Sequence, residues 1–293
     1  FDRSGDPVTA SGLRAVGAMA ALLHDAILPN LVQSTEGVPA FVHGGPFGNI
    51  AHGCNSVAAT KAAAQRADYV VTEAGFGFDL GAEKFFDIKC RSTGLWPRAV
   101  VLVVTARALR IHGGGQAKGG GPVSEIRRGL RHLDHHVRCV RTFGFEPVIA
   151  VNCFGGDSAA DLEAIEAGCA ERGLTAARFT GFTDGGAGAE GLAQAVVEAA
   201  ARPAEPVRYL YALEDSPEAK IEAVARTIYG ASGIAYSRTA RRDLEQVRRL
   251  GYEGLPICIA KTHLKLVEDG GDAGSGRSPS LPVESVRVAA GAG

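Results

Sequence analysis

Strand-like and helix-like segments take turns along this chain, and that alternation narrows the possible folds more than any other feature. Residues 99–104, Ala-Val-Val-Leu-Val-Val, form the longest β-like run. A continuous apolar run of this kind is expected of a strand covered on both faces. Shorter strand patterns are read at 40–42, 69–71, 148–151, 209–211, 257–259 and 286–288. Helical spacing is read at 11–27, through Leu13, Val16, Met19, Ala20 and Leu23, and again at 55–67, 158–171, 189–201, 217–229 and 241–250. Asp79 is a candidate N-cap for a further helix running through Phe86 and Ile88. Ile126, Leu130, Leu133, Val137 and Val140 recur at alternating four- and three-residue steps, which predicts a helix with one core face. The alternation predicts an α/β fold with a mainly parallel sheet, followed by smaller α/β units.

Joints in the pattern suggest three parts. A Gly-rich connection at 113–121 separates residues 1–115 from 116–205, and Pro203 and Pro206 mark the start of 206–293. Residues 268–280, rich in Gly, Ser and Pro, read as a mobile surface loop. With 293 residues there is chain enough for a large core. A formal net charge of -1 gives no overall field favouring nucleic acid or membrane. No apolar run approaches the roughly 18–20 residues needed to span a bilayer. The 6 cysteines are scattered without a Cys-x-x-Cys pair, the pattern of reduced thiols in a cytoplasmic protein. The first residue is Phe1, and the chain stops at a Gly-Ala-Gly turn. Both features suggest a piece of a longer protein.

Four loops carry candidate chemistry. His43-Gly-Gly-Pro-Phe-Gly-Asn-Ile-Ala-His-Gly53 lies between a strand and a helix pattern, where backbone N–H groups suit an anion. Gly48 lets the chain approach a ligand closely, and His43, Asn49 and His52 add polar side chains; a tight structural turn is the equal alternative. Thr72-Glu-Ala-Gly-Phe-Gly-Phe-Asp79 follows another strand pattern and offers Glu73, Phe76 and Phe78. Loop aromatics stack on flat ligands or simply cover a sheet end. On the helix beyond it, Glu83 and Asp87 read as a solvated face. Phe154, in Asn152-Cys-Phe-Gly-Gly-Asp157, reads on its own as core. Phe182-Thr-Asp-Gly-Gly-Ala-Gly188 reads as a Gly-rich turn with Asp184 as a possible cap.

His132, His135 and His136 invite a zinc reading. Only His132 and His136 share a side of the helix, and no cysteine or carboxylate stands beside them at metal-ligand spacing. No metal site is therefore expected there. Arg127, Arg128, Arg131, Arg138 and Arg141 on the same helix lack interleaved aromatics, so a solvated face is expected rather than a nucleic-acid surface.

Taken together, the motifs resemble one family. Pro29-Asn-Leu-Val-Gln33, the strings from His43 to Ser56 and from Thr72 to Arg91, and Arg107-Ala-Leu-Arg-Ile-His-Gly-Gly114 are similar to formate–tetrahydrofolate ligases. Weaker likeness continues in Leu255-Pro-Ile-Cys-Ile-Ala-Lys-Thr262 and Val286-Arg-Val-Ala-Ala-Gly-Ala-Gly293. The resemblance implies a P-loop NTPase-like domain of which residues 1–115 are the remainder. It implies substrates ATP with Mg, formate and tetrahydrofolate, with a monovalent cation as a further companion and a homo-oligomer for the full-length enzyme. ATP would convert formate to formyl phosphate, whose phosphate is a leaving group that formate itself lacks. N10 of tetrahydrofolate would then attack the formyl carbon, and the protein would hold amine and carbonyl in line. The resemblance puts Gly48 beside the formyl phosphate, Phe76 near folate and intermediate, and Phe154 and Phe182 on the two faces of the pterin. It also shows departures. Gly155 stands where the family usually has proline, and Phe182 where it has tryptophan, a larger stacking face.

The family's phosphate loop, Gly-x-x-x-x-Gly-Lys-Ser/Thr, occurs nowhere in these 293 residues. No other segment offers its cradle of N–H groups and its lysine. This chain on its own is therefore expected to form no 10-formyltetrahydrofolate. An assay with ATP, formate and tetrahydrofolate checks this, and turnover above a no-protein control refutes it.

Overall fold

The computed structural model describes residues 2–4, 6–44, 52–75, 77–116, 120–203, 205–260 and 280–289. They fall into two units, Phe1–Gly45 with Asn55–Glu73, and Pro46–Cys54 with Ala74–Gly293. The Gly/Ser/Pro-rich loop expected at 268–280 lies outside the described residues except for Ser280.

In the first unit, helix α1 (Val16–Leu23) is followed by a hairpin and helix α2 (Val57–Ala64). Strands β1 (Asn30–Gln33) and β2 (Pro39–Val42) pair antiparallel, with Asn30 opposite Val42. Ser34 closes the turn by donating its N–H to the Val38 carbonyl at 2.9 Å. Ser56 caps α2 by accepting the Ala59 N–H, satisfying one of the donors a helix start leaves open. The helical spacing read at 11–27 is matched by α1 over Val16–Leu23, and α1 buries no residue. Its sequence, Val-Gly-Ala-Met-Ala-Ala-Leu-Leu, is apolar all round, so no polar side orients it.

The second unit opens with two π-helical turns, Phe78–Ala82 and Phe85–Cys90, that lead into α3 (Arg91–Thr93). Strand β3 (Val101–Val104) and helix α4 (Ala106–His112) follow. Next come α5 (Val123–Thr142), β4 (Val148–Asn152), α6 (Ala159–Ala170) and β5 (Thr175–Phe179). Strands β3, β4 and β5 form a parallel sheet in that order, which bears out the expected α/β architecture. Helices α4, α5 and α6 cover one face. Ile126, Leu130, Leu133 and Val137 of α5 pack there against Ile149 and Val151 of β4, on the spacing read from the sequence. Gly129 permits the close crossing of α5 over α4, since a Cβ there would stand 1.9 Å from the Leu109 carbonyl oxygen. An ion triad ties the same helices together: Arg110 bonds Glu125 at 3.0 Å and Asp161 at 2.6 Å. The arginines Arg127, Arg128, Arg131, Arg138 and Arg141 are exposed, as expected.

A short helix α7 (Gly181–Asp184), a 3-10 turn and α8 (Glu190–Ala200) come after β5. Helix α9 (Pro217–Thr227), strand β6 (Ile234–Tyr236), helix α10 (Arg238–Arg249) and strand β7 (Leu281–Val283) are the remaining elements among the described residues, with β6 and β7 paired in parallel. Four strand patterns are not strands in the structure. Residues 209–211 and 257–259 are irregular and satisfied by side chains: the Leu210 N–H goes to Asp87, and the Ile257 N–H goes to the Tyr211 hydroxyl at 3.0 Å. The Val286 N–H likewise goes to Asp243 rather than to a ladder, and residues 69–71 join no sheet among the described residues.

The β-branched run is also less covered than its composition suggests. Strand β4 is buried along Val148–Val151, but β3 is an edge of the described sheet, and its Val103 is 67% exposed. An open apolar edge invites pairing with another chain. Val103→Lys is therefore expected to reduce self-association in size-exclusion chromatography with light scattering, while changing stability by no more than about 0.5 kcal/mol.

Candidate functional site

Two candidate aromatics stand on neighbouring loops. Asn152 at the end of β4 is paired with Phe179 at the end of β5, so the loops that follow leave the sheet side by side at its carboxyl end. Phe154 sits in the first loop, in a turn closed by Asp157. The Asp157 carboxylate accepts the Phe154 N–H at 2.8 Å, and the Asp157 N–H returns to the Phe154 carbonyl. The ring is 53% exposed, so the core position expected from the sequence alone is wrong. A Cβ on Gly155 would meet nothing within 4 Å, so no crowding demands glycine where the family usually has proline. Phe182 lies in α7, and its ring is 91% exposed. A Cβ on its neighbour Gly181 would lie 2.4 Å from the tip of the Phe179 ring, so a larger residue there would have to displace that ring.

The loop 72–79 begins in one unit and ends in the other. Glu73 is exposed, while Gly48, Asn49 and Phe76 lie outside the described residues. The second half of the loop folds back on the π-helical turn that follows. Gly75 has φ +93°, a Cβ on it would stand 2.7 Å from Gly81 Cα, and a Cβ on Gly81 would stand 1.8 Å from the Ala74 carbonyl oxygen. The Tyr229 hydroxyl donates to the Asp79 carbonyl at 3.0 Å and anchors the loop's end. Phe78 is not a loop platform: it is buried, 6.1 Å from Phe86 and 5.7 Å from Phe143 between ring centroids.

The histidines of the first Gly-rich loop are engaged locally. His43 places Nδ1 2.7 Å from the Ser56 hydroxyl, and its Nε2 donates to the Ala26 carbonyl at 2.9 Å. It thus braces the start of α2 within the first unit. His52 Nδ1 accepts the Cys54 N–H at 3.1 Å. Burial lowers the His52 pKa, with Lys89 and Lys84 adding to the effect.

Glu83 and Asp87 form no solvated face. Their residues are 1% and 0% exposed. Helical periodicity misled here because π-helical turns carry more residues per turn than an α-helix and rotate the sequence inward. Asp87 accepts Arg91 at 3.0 Å and the Leu210 N–H at 3.1 Å. Burial raises its pKa to about 6, against the lowering effect of those two bonds. Burial and the neighbouring Asp87 hold Glu83 well above the ordinary carboxylate range. Glu83 Oε1 and Asp87 Oδ2 have no hydrogen-bond partner among the described residues.

Parallel strands with helices packed on them define the open α/β class, in which ligands meet the carboxyl ends of the strands. The comparisons with known proteins narrow the class. The family described as formate–tetrahydrofolate ligase matches residues 1–293. A formate–tetrahydrofolate ligase of Myxococcus xanthus is 50% identical over 99% of this chain and 54% of its own length. Proteins of that name from Phocaeicola vulgatus and Bacillus licheniformis are 48% and 46% identical, over 100% and 99% of this chain. The chain belongs to the formate–tetrahydrofolate ligase family, and it spans about half the length of the curated relatives it matches.

The two buried carboxyls give stability a pH dependence with a definite sign. Their folded pKa values lie above the unfolded ones, so the folded chain holds protons that the unfolded chain has lost. Their contribution is complete below the ordinary carboxylate range and declines as pH rises through the folded values, about 6 for Asp87. Glu83→Gln removes one buried charge. It is expected to raise the melting temperature near about pH 8 and to lose that advantage near about pH 4. Thermal melts of both proteins across that range check the sign, and a gap that widens toward acid overturns it.

Proposed function

We propose that this chain serves the ATP-dependent ligation of formate to tetrahydrofolate, yielding 10-formyltetrahydrofolate, ADP and phosphate through formyl phosphate. Its own share in that reaction is to hold the pterin. The observation that carries this reading is the pair of exposed rings, Phe154 and Phe182, on adjacent loops at the carboxyl end of a parallel sheet. An exposed phenylalanine gains nothing from water, whereas a flat heteroaromatic between two such rings removes apolar area from solvent and stacks on both faces. Neighbouring strands stand about 4.8 Å apart, and a ring on each side of a pterin needs a gap of about 7 Å, a spacing that loops diverging from adjacent strand ends can reach.

Family membership supports the rest of the assignment. Gly48 belongs in it beside the formyl phosphate and Phe76 near the folate, with His43, Asn49, His52 and Glu73 as further polar candidates. ATP with Mg, a monovalent cation, a homo-oligomeric full-length enzyme and a cytoplasmic setting belong to the same proposal. Among the described residues no helix is long and apolar enough to cross a membrane.

Tetrahydrofolate titration of the chain tests the pterin site apart from the chemistry. Phe154→Ala is expected to weaken binding. Phe182→Trp is expected to strengthen it by about 0.5–1.5 kcal/mol through the larger stacking face. Both rings are exposed, so neither substitution should cost the about 3–5 kcal/mol of a core truncation. Unchanged affinity in both folded variants would remove the two rings from the site.

A further inference from the structure

Four histidines gather where α4 and α5 meet the foot of the 72–79 loop. His112 of α4 lies face to face with His132 of α5, with centroids 3.6 Å apart and planes 10° from parallel. His136, one turn further along α5, turns its ring edge-on to His132 at 81°. The Nε2 atoms of His132 and His136 stand 3.2 Å apart. Their ring centroids are only 4.7 Å apart, closer than two rings meeting nitrogen to nitrogen on one straight line would be. The two rings therefore do not meet on one straight line, and their Nε2 atoms lie within hydrogen-bond distance. His135 takes no part, since its Nε2 is 2.8 Å from the Ile228 carbonyl and so directed at α9's end.

From this geometry we propose that His132 and His136 form a two-donor chelate for a divalent transition metal of the borderline class, such as Ni²⁺, Cu²⁺ or Zn²⁺. Histidines four residues apart on a helix present their nitrogens on one side. Imidazole suits these metals, which bind it at about 2.0–2.1 Å, so two such nitrogens stand about 2.9 Å apart on a square-planar or octahedral ion and about 3.3–3.4 Å apart on a tetrahedral one. The observed separation is within a small side-chain adjustment of that bite. Stacking by His112 fixes the plane of His132, which limits the freedom lost on binding. Among the described residues no group of three or more His, Cys, Asp or Glu side chains is arranged to hold a metal, so a bound ion would have to complete its coordination with water. The spacing argument that set metal aside in the sequence asked for a third donor, which a two-donor chelate does not need.

The location gives the site a consequence. A Cβ on Gly77 would stand 3.7 Å from His136 Cε1, so His136 lies directly against the foot of the 72–79 loop. A bound ion would fix that imidazole and stiffen the loop's base.

The test is calorimetric titration of the chain with NiCl₂, together with His132→Gln, His136→Gln and His135→Gln. Wild type and His135→Gln are expected to bind one saturating equivalent. His132 is half-buried and lies off the apolar face of α5, so His132→Gln should fold, as circular dichroism can show. Its affinity should fall by about tenfold or more, since a lost donor costs at least what a lost supporting partner does. His136→Gln, where folded, should fall alike, and Cu²⁺ electron paramagnetic resonance should report two imidazole nitrogens in the wild type. Absence of saturable binding, or a His132→Gln titration that overlays the wild type, overturns the site. Equal loss in His135→Gln overturns it too, because that result assigns the ion to the cluster at large.

Discussion

The carboxylate of Asp87 holds the larger unit together from inside. It sits with no exposure in a π-helical turn and receives both the Arg91 guanidinium and the Leu210 N–H. Arg91 in turn lies 4.0 Å from the Tyr209 ring centroid and 4.9 Å from that of Tyr211, and donates to the Tyr211 carbonyl at 2.8 Å. A buried ion pair of this kind adds little net stability compared with a well-packed apolar core, but losing one partner strands the other in a dry interior. Here the pair does something more specific. It satisfies backbone groups of Leu210 and Tyr211, more than a hundred positions away, and so sets where that segment lies against the cluster of Phe86 and Phe143. Around it Phe86 stacks on Phe143 at 4.5 Å and meets Phe145 and Trp96. Charges fix position and aromatic rings supply the burial.

The sheet is the second organiser, and its work is to aim loops. Strand β4 is buried on both faces between α5, α6 and α8, which makes its end a rigid point from which the Phe154 turn departs. Strand β5, paired with β4 but only partly buried, leads into the turn that carries Phe182. The two phenylalanines are exposed because the segments that carry them, a self-closed turn and the one-turn helix α7, are covered by no other element among the described residues. Rigid strands with short, self-closed loops are how a parallel sheet presents side chains without building a cavity for them.

What could be read in the sequence was whatever a local pattern controls. Helix α5 is long, and its apolar positions step regularly, so its buried face was legible. Strand β4 was legible for the same reason. Strand β5 was not, because Thr-Ala-Ala-Arg-Phe has little apolar content and owes its place to pairing with β4. Residues 209–211 and 257–259 look like strands, yet their partners are side chains remote in sequence, a choice no local pattern encodes. The burial of Glu83 and Asp87 was hidden because π-helical turns leave no mark in residue spacing. In the candidate site, the family likeness pointed to Phe154 and Phe182, whereas apolarity alone placed Phe154 inside. Exposure depends on what fails to cover a ring, and that is a property of the whole fold.

The contact between Gly75 and Gly81 has a consequence for how this region can change over time. Each glycine is required by the backbone of the other's neighbourhood rather than by any side chain. Ordinary epistasis lets a bulky residue at one position be accommodated by trimming its partner. Here there is nothing left to trim, since both partners are already at the minimum. Positions 75 and 81 are therefore closed to compensated substitution. The shape of the chain leading into the first π-helical turn should drift more slowly than the side chains that surround it.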